Sequence, residues 1–177
     1  MTSKKPYCHE PNPYRIRDDG AVEMELSCGK IALFDEADLP LVAPYRWFAH
    51  PRGYVLSHTS RIRGQRRELR MHRIILNPPD PLLVDHMNGD PLDNRRCNLR
   101  LATKRQNARN AVKPKGATSS RYKGVWWEER RRKWRAYIKL KHKVMYLGLY
   151  AQEADAAQAY NAAALKHFGE FARLNQL

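Results

Sequence analysis

The stretch VDHMNGDPLDNRRCNLRLATKRQN, from Val84 to Asn107, contains a carboxylate (Asp85), an imidazole next to it (His86) and a carboxamide further on (Asn107). These are the groups that metal-assisted hydrolysis of a phosphodiester needs. A hard divalent cation such as Mg²⁺ binds few protein oxygens and keeps several waters. An aspartate carboxylate with an asparagine carbonyl would hold one and leave room for phosphate oxygens. A neutral imidazole with a pKa near neutrality can take a proton from an attacking water. The cation would stabilise charge on the scissile phosphate and on the leaving 3′ oxygen. On an extended segment adjacent side chains diverge, so one of Asp85 and His86 can face the cation while the other faces the water. The bland alternative is a solvated loop, since Asn88-Gly89 is a turn signal and Asp90 and Asp93 are turn formers.

The elements that must position these residues follow from the flanking pattern. "LLV" is apolar and β-like and places Asp85 and His86 at a strand end. "CNLRLA" reads as a second strand, with Leu99 and Leu101 alternating against Asn98 and Arg100. Thr103 followed by Gln106 has capping-box spacing, which puts Asn107 in the first turn of a helix. The predicted unit is strand, loop, strand, helix. Upstream, "VEMELSCGKIALF", "RGYVLSHTS" and "ELRMHRIIL" read as strands, and "EADLPLVAPYRWFAH" as a short helical turn leading aromatics into a core. His72, in the last of those strand candidates, is a core histidine or a supporting group to the site. "NPPDP" at 77–81 is a rigid break, and the first 20 residues, with prolines at 6, 11 and 13, read as a flexible arm.

Charge then separates the halves of the chain. The formal net charge is +15, and residues 113–177 carry fourteen Lys or Arg against five Asp or Glu, so the excess sits in the last third. Such a stripe points to nucleic acid as partner. No apolar run approaches the ~20 residues of a spanning helix, and the first residues lack a signal peptide's apolar core. Cys8, Cys28 and Cys97 form no metal-type pair, so a reducing, cytoplasmic setting is expected. "VKPKGATSS", 112–120, reads as a linker. Beyond it, "YKGVWWEE", "KWRAYIKLK" and "KVMYLGLY" are three strand candidates, followed by an alanine-rich helix stopped by Gly169. Trp134, Ala136, Ile138 and Leu140 should pack on that helix. Arg135, Tyr137, Lys139 and Lys141 should form an exposed basic face, a surface able to enter the major groove.

Two resemblances sharpen these readings. Asp85-His86, Asp93-Asn94, Asn98-Leu99-Arg100, Thr103 and Asn107 resemble the motif of the HNH endonucleases, in particular their phage and homing-type branch. The resemblance implies a ββα-metal fold in which Asp85 and Asn107 are the metal ligands, His86 is the general base and Asn98 orients the loop and the base. Tyr122-Lys123-Gly124-Val125, Lys133-Trp134, Leu147-Gly148, Ala156-Ala157, Ala159-Tyr160 and Leu174-Asn175 resemble the APETALA2/ethylene-response-factor DNA-binding domain. That likeness implies DNA-facing positions at Lys123, Trp126, Arg135, Tyr137, Lys139 and Tyr146. Val144 stands where the plant domains carry an arginine, so their base preference does not transfer.

The expected architecture is α+β. A flexible arm (1–20) precedes an HNH endonuclease domain with a β-rich N-terminal part (21–111), a linker (112–120) and a three-stranded antiparallel sheet plus helix that binds DNA (121–177). The expected activity is divalent-metal-dependent cleavage of double-stranded DNA with Mg²⁺ or Mn²⁺, by nicking, because one metal site per chain cuts one strand per visit. A non-catalytic DNA-binding regulator on a decayed HNH scaffold is the alternative, and an RNA-binding module is a further rival. Monomer and homodimer are both open.

Overall fold

In the computed structural model, which describes residues 10–59, 67–113, 116, 118–141 and 143–177, the chain divides into two units, Met1–Thr103 and Lys104–Leu177. The fold is mixed α+β, with small antiparallel sheets and few helices.

In the first unit, β1 (Tyr14–Ile16), β2 (Ala21–Glu25) and β3 (Ile31–Asp35) form an antiparallel meander. Alternation along β2 and β3 buries Val22, Met24, Ala32 and Phe34 on one face. A short 3₁₀ turn and α1 (Leu39–Val42) lead to Trp47, which is fully buried and donates its indole N–H to the Val42 carbonyl at 2.8 Å. The second sheet comprises β4 (Phe48–Ala49), β5 (Val55–His58) and β6 (Glu68–Arg70), in that order. Next come α2 (Met71–Leu76), β7 (Leu83–His86) and β8 (Leu99–Ala102), the last two paired antiparallel from Leu83↔Ala102 to His86↔Leu99. Phe34, Trp47, Val55, Met71, Ile75, Val84 and Leu99 share one core, so the N-terminal sheets and the β7–β8 hairpin form a single hydrophobic body.

Three expectations are revised here. Of the segment read as a flexible arm, residues 1–9 lie outside the described residues, and the remainder is tied down. Asn12 accepts from the Trp47 backbone N–H at 2.7 Å and donates to its carbonyl at 3.0 Å, and β1 pairs with β2. "MHRIIL" is a helix rather than the end of a strand. Its buried residues are Met71, His72 and Ile75, the i, i+1, i+4 spacing of a helix face, and Asn77 ends it in the left-handed region before Pro78. In β8 the expected alternation fails at Leu101, which is exposed, while Leu99 and Ala102 are buried.

The loop between β7 and β8 is fastened to the N-terminal sheet. Leu33 N–H donates to the Leu92 carbonyl at 2.9 Å, and Asn94 N–H donates back to the Leu33 carbonyl at 2.7 Å. The Arg96 guanidinium forks onto buried Asp38, Nη2 to Oδ1 at 2.7 Å and Nε to Oδ2 at 3.0 Å, while its backbone N–H donates to Asp35 at 2.7 Å. Gly53 lies against the same loop: a Cβ there would come within 2.6 Å of Pro91 Cγ.

The second unit begins with α3 (Lys104–Asn110), one residue after Thr103. It continues with β9 (Val125–Glu128), β10 (Lys133–Leu140), β11 (Lys143–Tyr150) and α4 (Glu153–Phe168), the sheet order being β11-β10-β9. Ala136 and Ile138 face α4, whose small Ala156, Ala157 and Ala164 let it lie close to the sheet. Gly124, at φ +74°, occupies a point where any Cβ would collide with the Tyr160 ring. Of the expected linker, Pro114, Lys115 and Ala117 lie outside the described residues. Its two ends are joined: Lys113 Nζ donates to the Ser120 and Tyr122 carbonyls, each at 2.8 Å.

The Arg96–Asp38 fork sets an asymmetric prediction. Arg96→Ala strands a buried carboxylate and should cost about 3 kcal/mol. Asp38→Asn should cost less, because the Arg96 side chain is 51% exposed and keeps water as a partner. Chemical denaturation of the two variants checks the order.

Candidate active site

Asp85 and His86 sit at the last two positions of β7, both buried. Burial of a carboxylate needs a counter-charge. Arg100, opposite Asp85 across the hairpin, supplies it: Nε and Nη2 reach Asp85 Oδ2 at 2.9 and 2.7 Å. With only 11% of the Arg100 side chain and 5% of the Asp85 side chain exposed, this pair is screened little by water.

The loop that follows is built from its own polar side chains. Asn88 Oδ1 accepts from Asp90 N–H at 2.7 Å, Asp90 Oδ1 accepts from Leu92 N–H at 2.9 Å, and Gly89 takes φ +78°. These are the Asx-type turns expected of Asn88, Gly89 and Asp90. Asp93 does more than turn. It is buried, forks with Arg95 at 2.8 Å on both oxygens and accepts from Asn88 Nδ2 at 3.0 Å. The Arg95 hydrogen bonds hold its carboxyl below the usual carboxylate range.

Asn98 spans the loop. Its Nδ2 donates to the Asp93 carbonyl at 2.8 Å, its Oδ1 accepts from Asn88 N–H at 2.9 Å, and its own carbonyl accepts from Met87 N–H at 2.9 Å. The partner opposite the imidazole is Asn94, whose Oδ1 is 3.4 Å from His86 Nε2. The His86 ring also meets the His72 ring edge-on, centroids 5.1 Å apart at 84°, and the Tyr54 ring at 6.1 Å. Burial pushes the His86 pKa down, opposed by the Asn94 hydrogen bond and the negative charge of Asp85, so the ring is neutral near pH 7. A neutral imidazole can accept a proton from water.

His72 is the second histidine of this cluster. Burial, with the His86 ring and the positive charges of Arg70 and Arg73 adding to it, lowers its pKa to about 3. Among the described residues its Nδ1 is buried without a hydrogen-bond partner.

Asn107 is the fourth residue of α3, in the second unit. The donor set named by the sequence, an aspartate carboxylate and an asparagine carbonyl, is all hard oxygen and suits a cation of the Mg²⁺ or Mn²⁺ kind. Both Arg100 donors converge on Asp85 Oδ2, which fixes the orientation of the carboxylate. Among the described residues no cluster of three or more His, Cys, Asp or Glu forms a metal site by itself.

The positions expected to face DNA lie in the second unit. Trp126, Arg135, Tyr137 and Tyr146 form one contiguous patch. Arg135 pairs with Trp126 across the sheet and Tyr137 with Tyr146, and the guanidinium lies 5.7 Å from the Trp126 ring and 5.1 Å from the Tyr146 ring. A bulge at Leu147 lets Tyr146 join this patch while Leu147 packs in the core. Lys139 is exposed further along β10. Lys123 departs from the expectation. It precedes β9, and its Nζ donates to the Arg109 and Ala111 carbonyls at 2.6 and 2.7 Å. Burial lowers its pKa, and its charge serves to hold the end of α3 rather than the open sheet.

Tyr54 and the pairings of Arg100 and Asn94 escaped the reading of the sequence, whereas His72 was named there as a core histidine or a supporting group. Arg100 and Asn94 lie within the motif, and only their partners distinguish them from turn and strand residues.

The family model described as HNH endonuclease matches residues 77–109, which span β7, the loop, β8 and most of α3. An uncharacterized HNH endonuclease of Acanthamoeba polyphaga mimivirus is 32% identical over 146 residues, covering 78% of this chain and 71% of its own. Protein 3.8 of Escherichia phage T7 is 34% identical over 77 residues, covering 43% of this chain and 63% of its own. The chain belongs to the HNH endonuclease family and is a hydrolase that cleaves DNA. Members of this family generally depend on a divalent metal. Among the described residues no helix is long and apolar enough to cross a membrane.

The His72 ring makes stability pH-dependent with a definite sign. The unfolded chain binds a proton near 6.5 and the folded chain near 3, so stability is present in full above 6.5 and is lost as pH falls toward 3. The loss is on the order of a few kcal/mol. Denaturant midpoints between pH 7 and 4 should fall less steeply in His72→Phe than in the unaltered chain.

Proposed function

We propose that this chain is a homing-type endonuclease of a phage or phage-infected host that nicks double-stranded DNA, directed to its site by a C-terminal sheet of the APETALA2/ethylene-response-factor kind. The observation that carries the nuclease reading is the buried Asp85–His86 pair at the end of β7, with a counter-ion on the carboxylate and an amide oxygen opposite the imidazole. In this reading Asp85 and Asn107 hold Mg²⁺ or Mn²⁺, His86 takes the proton of the attacking water, and Asn98 keeps the loop in shape. When bound, the cation supplies charge stabilisation to the scissile phosphate and the leaving oxygen. One such site per chain attacks one strand per encounter, and a double-strand break needs a second chain.

The targeting reading rests on the Trp126–Arg135–Tyr137–Tyr146 patch. Stacking between two rings and an ion pair with Glu128 at 3.4 Å hold the Arg135 guanidinium in place, which lowers the entropy lost on forming a bidentate contact to a guanine. Lys139 supplies phosphate attraction beside it. Tethering such a surface to the nuclease raises the local concentration of the catalytic unit at its site.

Supercoiled plasmid carrying a cleavage site tests the nuclease reading. Nicked circles should form with Mg²⁺ and vanish with EDTA, and His86→Ala should lose about a hundredfold or more in rate. Cleavage undiminished by EDTA, or full activity in His86→Ala, overturns it. For the second unit, Arg135→Met should relax base preference by about tenfold or more, whereas Lys139→Met should weaken binding evenly and reduce the salt slope by about one. Binding titrations on randomised duplexes at several salt concentrations separate the two.

A further inference from the structure

Asn94 is wholly buried, and its amide has only one workable orientation. Nδ2 donates to the Leu92 carbonyl at 3.1 Å and to the Pro91 carbonyl at 3.4 Å, while the Asn94 backbone N–H is bound to the Leu33 carbonyl. Turning the amide over would set its oxygen against two carbonyl oxygens. The end that faces His86 Nε2, 3.4 Å away, is therefore oxygen. An amide oxygen accepts and cannot donate. This contact is a hydrogen bond only if Nε2 carries the hydrogen.

We propose that Asn94 is a positioning residue for the cleavage reaction: it fixes His86 as the Nε2–H tautomer and so places the ring's lone pair on Nδ1, the atom that receives the water's proton. The inference rests on the reading of His86 as general base. In the step, the water O–H bond breaks and its proton goes to Nδ1. The water oxygen forms a bond to phosphorus, the bond from phosphorus to the 3′ oxygen breaks, and that oxygen is protonated from solvent. The ring gains a positive charge as it accepts the proton, and the Asn94 oxygen already lies opposite Nε2–H, where it stabilises that charge. The rings of His72 and Tyr54 also pack against the imidazole, which opposes rotation out of this arrangement. The fastening of Asn94 to β3 through Leu33 extends the same constraint back to the N-terminal sheet.

Long-range ¹H–¹⁵N correlation spectra of the full-length, ¹⁵N-labelled protein at neutral pH read the tautomer directly, with His86 assigned by its loss in His86→Gln. The expected pattern is a protonated Nε2 and an unprotonated Nδ1. Asn94→Leu, which removes the acceptor, should let the Nδ1–H form appear and lower kcat by about tenfold or more with KM for DNA little changed. Asn94→Asp keeps an oxygen opposite Nε2 and should retain the tautomer. An Nδ1–H pattern in the unaltered protein overturns the proposal, as does a pattern and kcat unchanged in Asn94→Leu. If Asn94→Leu does not fold, the spectrum of the unaltered protein decides alone. Full activity in His86→Ala would instead sink the general-base reading, and the tautomer measurement would still stand.

Discussion

A loop that runs from Met87 to Asn98 between two short strands has many backbone polar groups and little sheet of its own in which to satisfy them. The protein satisfies them by borrowing β3. The reciprocal bonds between Leu33 and the loop at Leu92 and Asn94, together with the Arg96 fork on Asp38 and the Arg96 backbone N–H on Asp35, turn a surface loop into an extension of the N-terminal sheet. Everything at the candidate active site depends on this attachment. Asn94 faces His86 because its backbone is held by Leu33, and Asn98 can bridge Asp93 and Asn88 because the loop ends are fixed. The β-rich region before the motif is thus the mount of the site. It shares one core with β7 and β8, so the attachment rests on hydrophobic burial as well as hydrogen bonds.

Charge placement is the second constraint. A carboxylate as buried as Asp85 is tolerable only with a cation beside it, and Arg100 fills that place. Two donors on a single oxygen orient the carboxylate as well as neutralise it. Two buried histidines in contact face the opposite problem, since two like charges at that separation would repel. Burial resolves it by keeping both rings neutral near pH 7, His72 far more firmly than His86, which also has the Asn94 oxygen and nearby carboxylates favouring its charged form. The difference lets one ring serve as a stiff wall and leaves the other able to accept a proton.

Much of this was legible in the sequence, and the failures have physical causes. Asp85 and His86 were placed at a strand end by the apolar residues before them, and Asn88, Gly89 and Asp90 were read as turn chemistry from residue type; local rules govern both. "MHRIIL" misled because adjacent isoleucines favour a strand locally, while the core accepts Met71, His72 and Ile75 only on one helix face. Leu101 misled because alternation predicts burial only where something covers that face. Arg100 and Asn94 stood in the motif without a role, and Asp38 had none. Their roles are pairings with Asp85, His86 and Arg96, and nothing in residue type or local spacing fixes which polar side chains will meet.

The second unit follows a related logic with different materials. Its helix can approach the sheet because alanines line the contact and Gly124 leaves room for Tyr160, so the apolar side chains of β10 are absorbed on one face. The opposite face is then free to carry rings and cations that no core needs. Arg135 between Trp126 and Tyr146 is positioned by stacking and by its ion pair with Glu128, which together constrain the guanidinium. Lys123, by contrast, is consumed by the backbone carbonyls at the end of α3, and Lys113 ties the chain after that helix to the approach to β9. In one basic unit, therefore, surroundings rather than residue type decide which cations are structural and which remain for a polyanion.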